Sequence, residues 1–265
     1  MISKLIARER KKGIVMFKKI LASIGIGKAK VDAILLNDQL VAGDSFDVEV
    51  VITGGDVEQE LNGIELAVMA QAKAEADIGE DEVEYNKSVV LQHWHQHLNV
   101  TIAPGETITR QFTLDLHPEV PATQLFGQHI SKVWLQTGLD IKNGLDGSDK
   151  DSLYISPSST QLSVLEVIEQ SGYSLYKVDI EAGGVRGQGF QSHLPCYQEY
   201  EFKPNARSLF GAREIEVTFV DNGHETGVLI EIDRAFLGDG YRSVSIPNSC
   251  ATPDAVRPYV ERILS

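Results

Sequence analysis

Cysteine is scarce in this chain: its 265 residues include two, Cys196 and Cys250. With no C-x-x-C pair and no Cys/His ladder, neither a disulfide-stapled secreted scaffold nor a structural zinc module fits. Long hydrophobic runs are missing too. No stretch approaches the roughly 18–20 apolar residues of a membrane helix, which excludes a helical span. Near the start, the apolar run Ile14–Phe17 is cut by Lys18 and Lys19. That falls short of the roughly 7–15 residues of a secretory h-region, so a cytoplasmic location with reduced thiols is expected.

Positive charge is the other shortage. Lys and Arg number 24 against 38 Asp and Glu, a net charge of −14. Nine of the basic residues and one acid fall within residues 1–30, which leaves residues 31–265 at −22. A body this acidic repels phosphate backbones, so no nucleic-acid partner is expected. The basic start (Lys4, Arg8, Arg10, Lys11, Lys12, Lys18, Lys19, Lys28 and Lys30) has three readings. It is a solvated segment, it docks on the acidic body, or it makes a weak contact with an anionic membrane.

What is present is an ordinary globular composition, 42% apolar and 23% charged. Its length favours two domains, with one large all-β domain as the alternative. Phe17, Ile20, Leu21 and Ile24 fall at helical spacing ahead of Gly25 and Gly27, giving a short amphipathic helix within a basic segment, 1–30. From Val31 the period becomes two. Phe46, Val48, Val50 and Ile52 alternate with Asp47, Glu49 and Val51, as do Ile64, Leu66, Val68 and Ala70 with their neighbours. Glu80–Glu84 reads as a solvated acidic turn. Ile108, Phe112, Leu114 and Leu116, then Val133, Leu135, Leu139 and Ile141, continue the strand pattern. Closely spaced strands without intervening helices indicate an antiparallel sandwich over 31–142.

The polar stretch 143–151 (NGLDGSDKD) reads as a linker, and its acids lack the spacing of an EF-hand. A helix follows, capped by Ser158 or Ser159, striped by Leu162, Leu165 and Ile168, and stopped at Gly172. Strands resume at Ser174–Ile180, Tyr197–Lys203, Arg213–Val220 and Gly227–Asp233, giving a second β-sandwich over 152–265. Thr252-Pro253 starts a terminal helix.

The sharpest chemical signal is Gln-His-Trp-His-Gln-His. On a strand, His93, His95 and His97 project from one face, and neutral imidazoles bind zinc, copper or nickel. No carboxylate follows at cupin-like spacing, since the next acid is Glu106. The run reads either as a metal site or as a solvent-facing stripe opposite Trp94. Gly183–Gly189 has the glycines of a phosphate loop but neither its Lys-Ser/Thr nor a following helix, so it reads as a strand connector around Arg186. No Gly-x-Ser-x-Gly or His-Glu-x-x-His occurs, and no catalytic centre or cofactor is expected.

Ala103-Pro104-Gly105-Glu106, the strand Ile108–Leu116 and the turn His117-Pro118-Glu119-Val120-Pro121-Ala122-Thr123 together resemble the N-terminal domain of arrestin-like proteins. His117 departs from the usual residue before that proline. Met16–Gly27 with Ala29-Lys30-Val31-Asp32, Gly54-Gly55-Asp56-Val57-Glu58-Gln59 and Gln198–Pro204 resemble the bacterial sporulation-control family (sporulation stage 0, protein M). The resemblance runs in order over Met16–Leu264. It implies an all-β fold of two tandem arrestin-like (immunoglobulin-like) β-sandwich domains with short helices, and a cytoplasmic, non-enzymatic regulator that binds proteins. Lys18, Lys19, Lys28, Lys30 and Arg186 are the candidate contact residues, and homodimerisation stays open.

Overall fold

The computed structural model describes residues 28–37, 39–78, 81–141, 148–206, 212–234 and 240–265. The alternation at Ser45–Thr53 drives one whole strand, β3, whose Phe46, Val48, Val50 and Ile52 are all at most 1% exposed. β1 (Lys30–Leu35) and β6 (Thr107–Asp115) flank it antiparallel in a three-stranded sheet. On its solvent face, Thr113 Oγ1 donates to Asp47 at 2.6 Å and Gln111 Nε2 to Glu49 at 3.0 Å. Such cross-strand pairs fix register where no core does. Behind β3, Gly54 approaches the next turn so closely that a Cβ there would lie 2.0 Å from the Ala103 carbonyl oxygen.

The second sheet has nine strands and runs through both halves of the chain. Its first part comprises the hairpin β4 (Gln59–Ile78) and β5 (Asp81–Ile102), with β9 (Val133–Ile141) and β10 (Ser148–Ser152) beyond β4. The second part is β12 (Tyr173–Ala182), β15 (Cys196–Pro204), β16 (Ala212–Asp221), β17 (Glu225–Arg234) and β18 (Gly240–Pro247). β4 joins them. It pairs with β9 over residues 61–70 and meets β12 in parallel at Lys73, opposite Glu181. Short ribbons complete the structure: β2 (Leu40–Val41) with β11 (Ile155–Ser156), β7 (Gln124–Leu125) with β8 (Gln128–His129), and β13 (Arg186–Gly187) with β14 (Phe190–Gln191).

Two cores result. The first lies between the three-stranded sheet and β4, β5 and β9, and includes Ile64, Leu66, Val68, Leu135 and Leu139, all fully buried. The second lies beneath β15–β18 and is closed by α1 (Ser159–Gln170) and α2 (Pro253–Leu264). The two helices expected from the sequence cover this core among the described residues: Val164, Val167, Ile168, Val256 and Val260 cluster with Tyr200, Phe202, Val217 and Ile230. Each such fully buried side chain is worth about 1.5–3 kcal/mol. Ser158 caps α1 in a reciprocal box with Gln161, and Gly172 follows it at φ +95°, as the sequence signals required.

Two expectations need correction. The linker over 143–151 does not hold at 148–151, which pair with β9 as most of β10, while 143–147 lie outside the described residues. The alternation is there, but its residues are polar, so composition concealed the strand. The acidic turn expected at Glu80–Glu84 is likewise strand from Asp81 onward, because β4 offers a ladder of backbone partners as far as Ile78.

The junction at β4 is pinned by charge. Lys73 Nζ lies 2.8 Å from Asp179 on β12 and 3.4 Å from Glu84 on β5. Burial works against the Lys73 ammonium, but the Asp179 hydrogen bond, the largest influence, leaves its pKa raised. Lys73→Ala should cost about 1 kcal/mol after solvent screening, lowering the thermal midpoint by about 2–4 °C. An unchanged midpoint in calorimetry would show that the junction does not depend on this cation.

Candidate functional site

One face of β4 builds the first core, and the other carries the chemistry. Antiparallel register sets His93 opposite Ala67, His95 opposite Glu65 and His97 opposite Gly63. Glu65, 2% exposed, is therefore the carboxylate that the linear sequence did not show. His93 Nε2 bonds Glu65 Oε2, His95 Nδ1 lies 2.5 Å from Glu65 Oε1, and His95 Nε2 is 3.0 Å from His97 Nδ1. An ionised carboxylate only accepts, so His93 donates through Nε2 and His95 through Nδ1. The contact between His95 Nε2 and His97 Nδ1 extends this into a hydrogen-bonded chain from an exposed imidazole to a buried carboxylate.

Gly63 makes this possible. A Cβ there would sit 2.7 Å from His95 Cε1 and 2.7 Å from the Gln96 carbonyl oxygen. Asn99, at φ 51°, accommodates the register shift just beyond, in a conformation Asn tolerates better than most residues. Burial pushes the Glu65 carboxyl up. Hydrogen bonds from His93 and His95, with their charge, more than reverse this and leave it below its usual 4.5.

The imidazoles are thus engaged by Glu65 and by each other. Among the described residues, the group of three or more potential ligands whose donor atoms all lie within 4.8 Å is Glu201, Glu214 and Glu216, not the histidines. The Tyr176 hydroxyl lies 2.7 Å from Glu201 and also against Glu214, so one proton serves two acceptors. Lys177 Nζ holds Glu201 at 2.6 Å and Asp179 at 2.5 Å. Farther along the same face, burial and then neighbouring carboxylates push Glu199 up to about 8 and Glu216 up to about 7.

The remaining candidates are dispersed. Lys18 and Lys19, with the N-terminal helix, lie outside the described residues. Lys30 is exposed at the start of β1, whereas Lys28 Nζ is enclosed and has no hydrogen-bond partner among the described residues. Arg186 is exposed and donates to Gln191 at 2.7 Å across the β13–β14 ribbon. That ribbon is the Gly183–Gly189 connector, folded over β17 with the Phe190 ring seated on Gly187 and Gly227. A Cβ at either glycine would come within 2.4 Å of the ring. A cavity of about 450 Å³ borders the ribbon. Cys196 is buried, and burial followed by the Glu119 charge pushes its thiol up to about 12, which rules out a reactive thiolate.

Sequence reasoning also missed Glu119. It accepts from the backbone of His193 (2.7 Å) and Leu194 (3.2 Å) and lies 2.7 Å from His193 Nδ1. These partners are more than 70 positions apart, and no local pattern joins them.

The chain is all-β, with one large sheet passing through both halves and an imidazole–carboxylate chain on the outer face of β4. Residues 17–236 match the Spo0M family model, described as SpoOM protein, and the chain belongs to this sporulation-control family. It is 33% identical over 227 residues to the sporulation-control protein spo0M of Bacillus subtilis (strain 168), covering 84% of this chain and 82% of that protein. The crystal structure of Spo0M, sporulation control protein, from Bacillus subtilis matches with a TM-score of 0.75 at 28% identity. That match covers 90% of this chain and 98% of the other.

Two pH dependences of opposite sign follow. Glu65 is held below its ordinary range, so its contribution is complete above pH 4.5 and is lost as pH falls through the lower folded value. Glu65→Gln should cost about 1–3 kcal/mol at pH 7 and much less near pH 3, and Gly63→Ala should reproduce part of the loss by displacing His95. Denaturant melts at the two pH values measure this, and equal losses at both would contradict it. Glu199 and Glu216 are raised, so stability falls as pH climbs from about 4.5 towards 8. The double change to Gln should add about 1 kcal/mol at pH 8, after screening, and nothing at pH 4. A gain that does not vary with pH would refute the assignment.

Proposed function

We propose that this chain is a non-enzymatic cytoplasmic regulator that works by binding other proteins, in the sporulation control for which its Bacillus relative is named. The observation that carries this reading is β5. It runs for 22 residues and pairs with β4 alone among the described residues, leaving a long edge at the border of the nine-stranded sheet. An edge of this length is a template for an added strand, which supplies backbone hydrogen bonds at once and specificity through alternate side chains. Val83 and Tyr85 stand on it 41% and 46% exposed, giving apolar anchors. The register shifts opposite Met69 and Gly63 interrupt the edge, so the uninterrupted run before residue 91 is the docking segment.

A photo-crosslinking residue at Asn86 tests this in living cells of the source bacterium. The expected result is a protein adduct that disappears in the V83K/Y85K variant while that variant keeps the wild-type melting curve. An adduct that persists in V83K/Y85K, or no protein adduct at all, would overturn the reading.

A further inference from the structure

Acidic side chains dominate this molecule, yet the walls of one cavity carry two lysines and no acid. About 630 Å³ in volume, it lies on the outer face of the first part of the large sheet, beside the β7–β8 ribbon. Two ammonium groups (Lys132 and Lys150) and an imidazole (His129) border it, with the Trp134 indole, the Tyr154 phenol and the Ser88 hydroxyl. Neither lysine forms an ion pair with a described residue.

Strand geometry explains how a protein of net charge −14 keeps such a place clear of acid. β10 reads Ser-Asp-Lys-Asp-Ser, and the period of two sends Lys150 and Ser152 to the outer face, in register with Gln136 and Trp134. Asp149 and Asp151 point the other way. Asp149 accepts the Ala33 N–H of β1 at 3.0 Å, and Asp151 is drawn into the same inward cluster beside Asp32. Lys132 is placed just ahead of β9, where its carbonyl takes the Gln71 N–H at 3.0 Å. Lys150 Nζ stands 5.4 Å from the Trp134 ring centroid, and His129 lies 5.6 Å from Tyr154. An ammonium and an imidazole are therefore mounted beside aromatic rings, one ring half-buried and one 40% exposed.

We propose that this cavity binds a small organic anion made of a flat ring and a phosphate group, of the size and chemistry of a nucleoside monophosphate. The ring stacks against Trp134 and Tyr154, and the phosphate is met by Lys132 and Lys150, with Ser88 and Ser152 hydroxyls as further donors. The volume lies within the 300–1,000 Å³ range usual for small-ligand sites. Ser88 lies on β5, so this site adjoins the edge proposed for strand addition, but its lysines and aromatic rings stand on other elements.

The test uses the full chain titrated calorimetrically with AMP, GMP and UMP, and separately with adenosine and inorganic phosphate. Tryptophan emission is followed in parallel, with W134F as its control. The expected result is one-to-one binding of at least one mononucleotide, with an emission change absent from W134F. Both K132A/K150A and Y154A should weaken binding about tenfold or more while melting as the wild type does. No heat with any mononucleotide up to 1 mM would overturn the proposal. Phosphate binding as tightly as the mononucleotides would remove the ring from it, and adenosine doing so would remove the anion. Undiminished binding by K132A/K150A would place the ligand elsewhere.

Discussion

The structure depends on a single hydrogen-bonded strand. β4 is long enough to serve β9 along one stretch and to touch β12 at Lys73, so it joins the two parts of the large sheet. Its two faces carry opposite duties. Ile64, Leu66, Val68, Ala70 and Ala72 fill the first core, while Glu65, Ala67 and Met69 are almost as deeply buried on the other side. A strand buried on both faces cannot alternate cleanly, and a carboxylate set into it must bring its own donors. His93 and His95 supply them, which turns an electrostatic liability into a contact across the hairpin.

Charge is sorted by the same geometry. Because the large sheet is continuous, side chains of one parity share a face across the whole molecule. The acids of β12, β15, β16 and β17 gather at one end and raise one another's affinity for protons. The imidazoles occupy the other end, and the lysine-lined cavity lies on that same part of the sheet. The likeness to the Bacillus protein and the family match establish the fold and the family.

Much of this was legible in the sequence because it is local. Ser45–Thr53 emerges as a strand with the expected bounds, Ser158 and Gly172 delimit α1, and His93, His95 and His97 do share one face. What stayed hidden is relational. Glu65 reaches His95 only because β4 and β5 pair in one register after a bulge, and nothing near residue 95 announces residue 65. β10 was hidden by polarity: a strand at the margin of a sheet needs backbone partners more than apolar side chains. Both helices over the second core were legible as helices, but not that they cover it. Strand periodicity reports that a face is covered, but not whether a sheet or a pair of helices covers it.

The seat of Phe190 on Gly187 and Gly227 has a consequence for how the sequence can drift. Those three positions, separated by as many as 40 residues, form one steric unit in which two side chains are missing so that a third can fit. A methyl gained at either glycine is tolerable only after the ring at 190 has shrunk. The order of substitution is therefore constrained: lineages that lose the aromatic first are free to fill the glycines, and those that keep it are not. The ribbon carrying Arg186 is thus tied to the sheet by an absence of atoms.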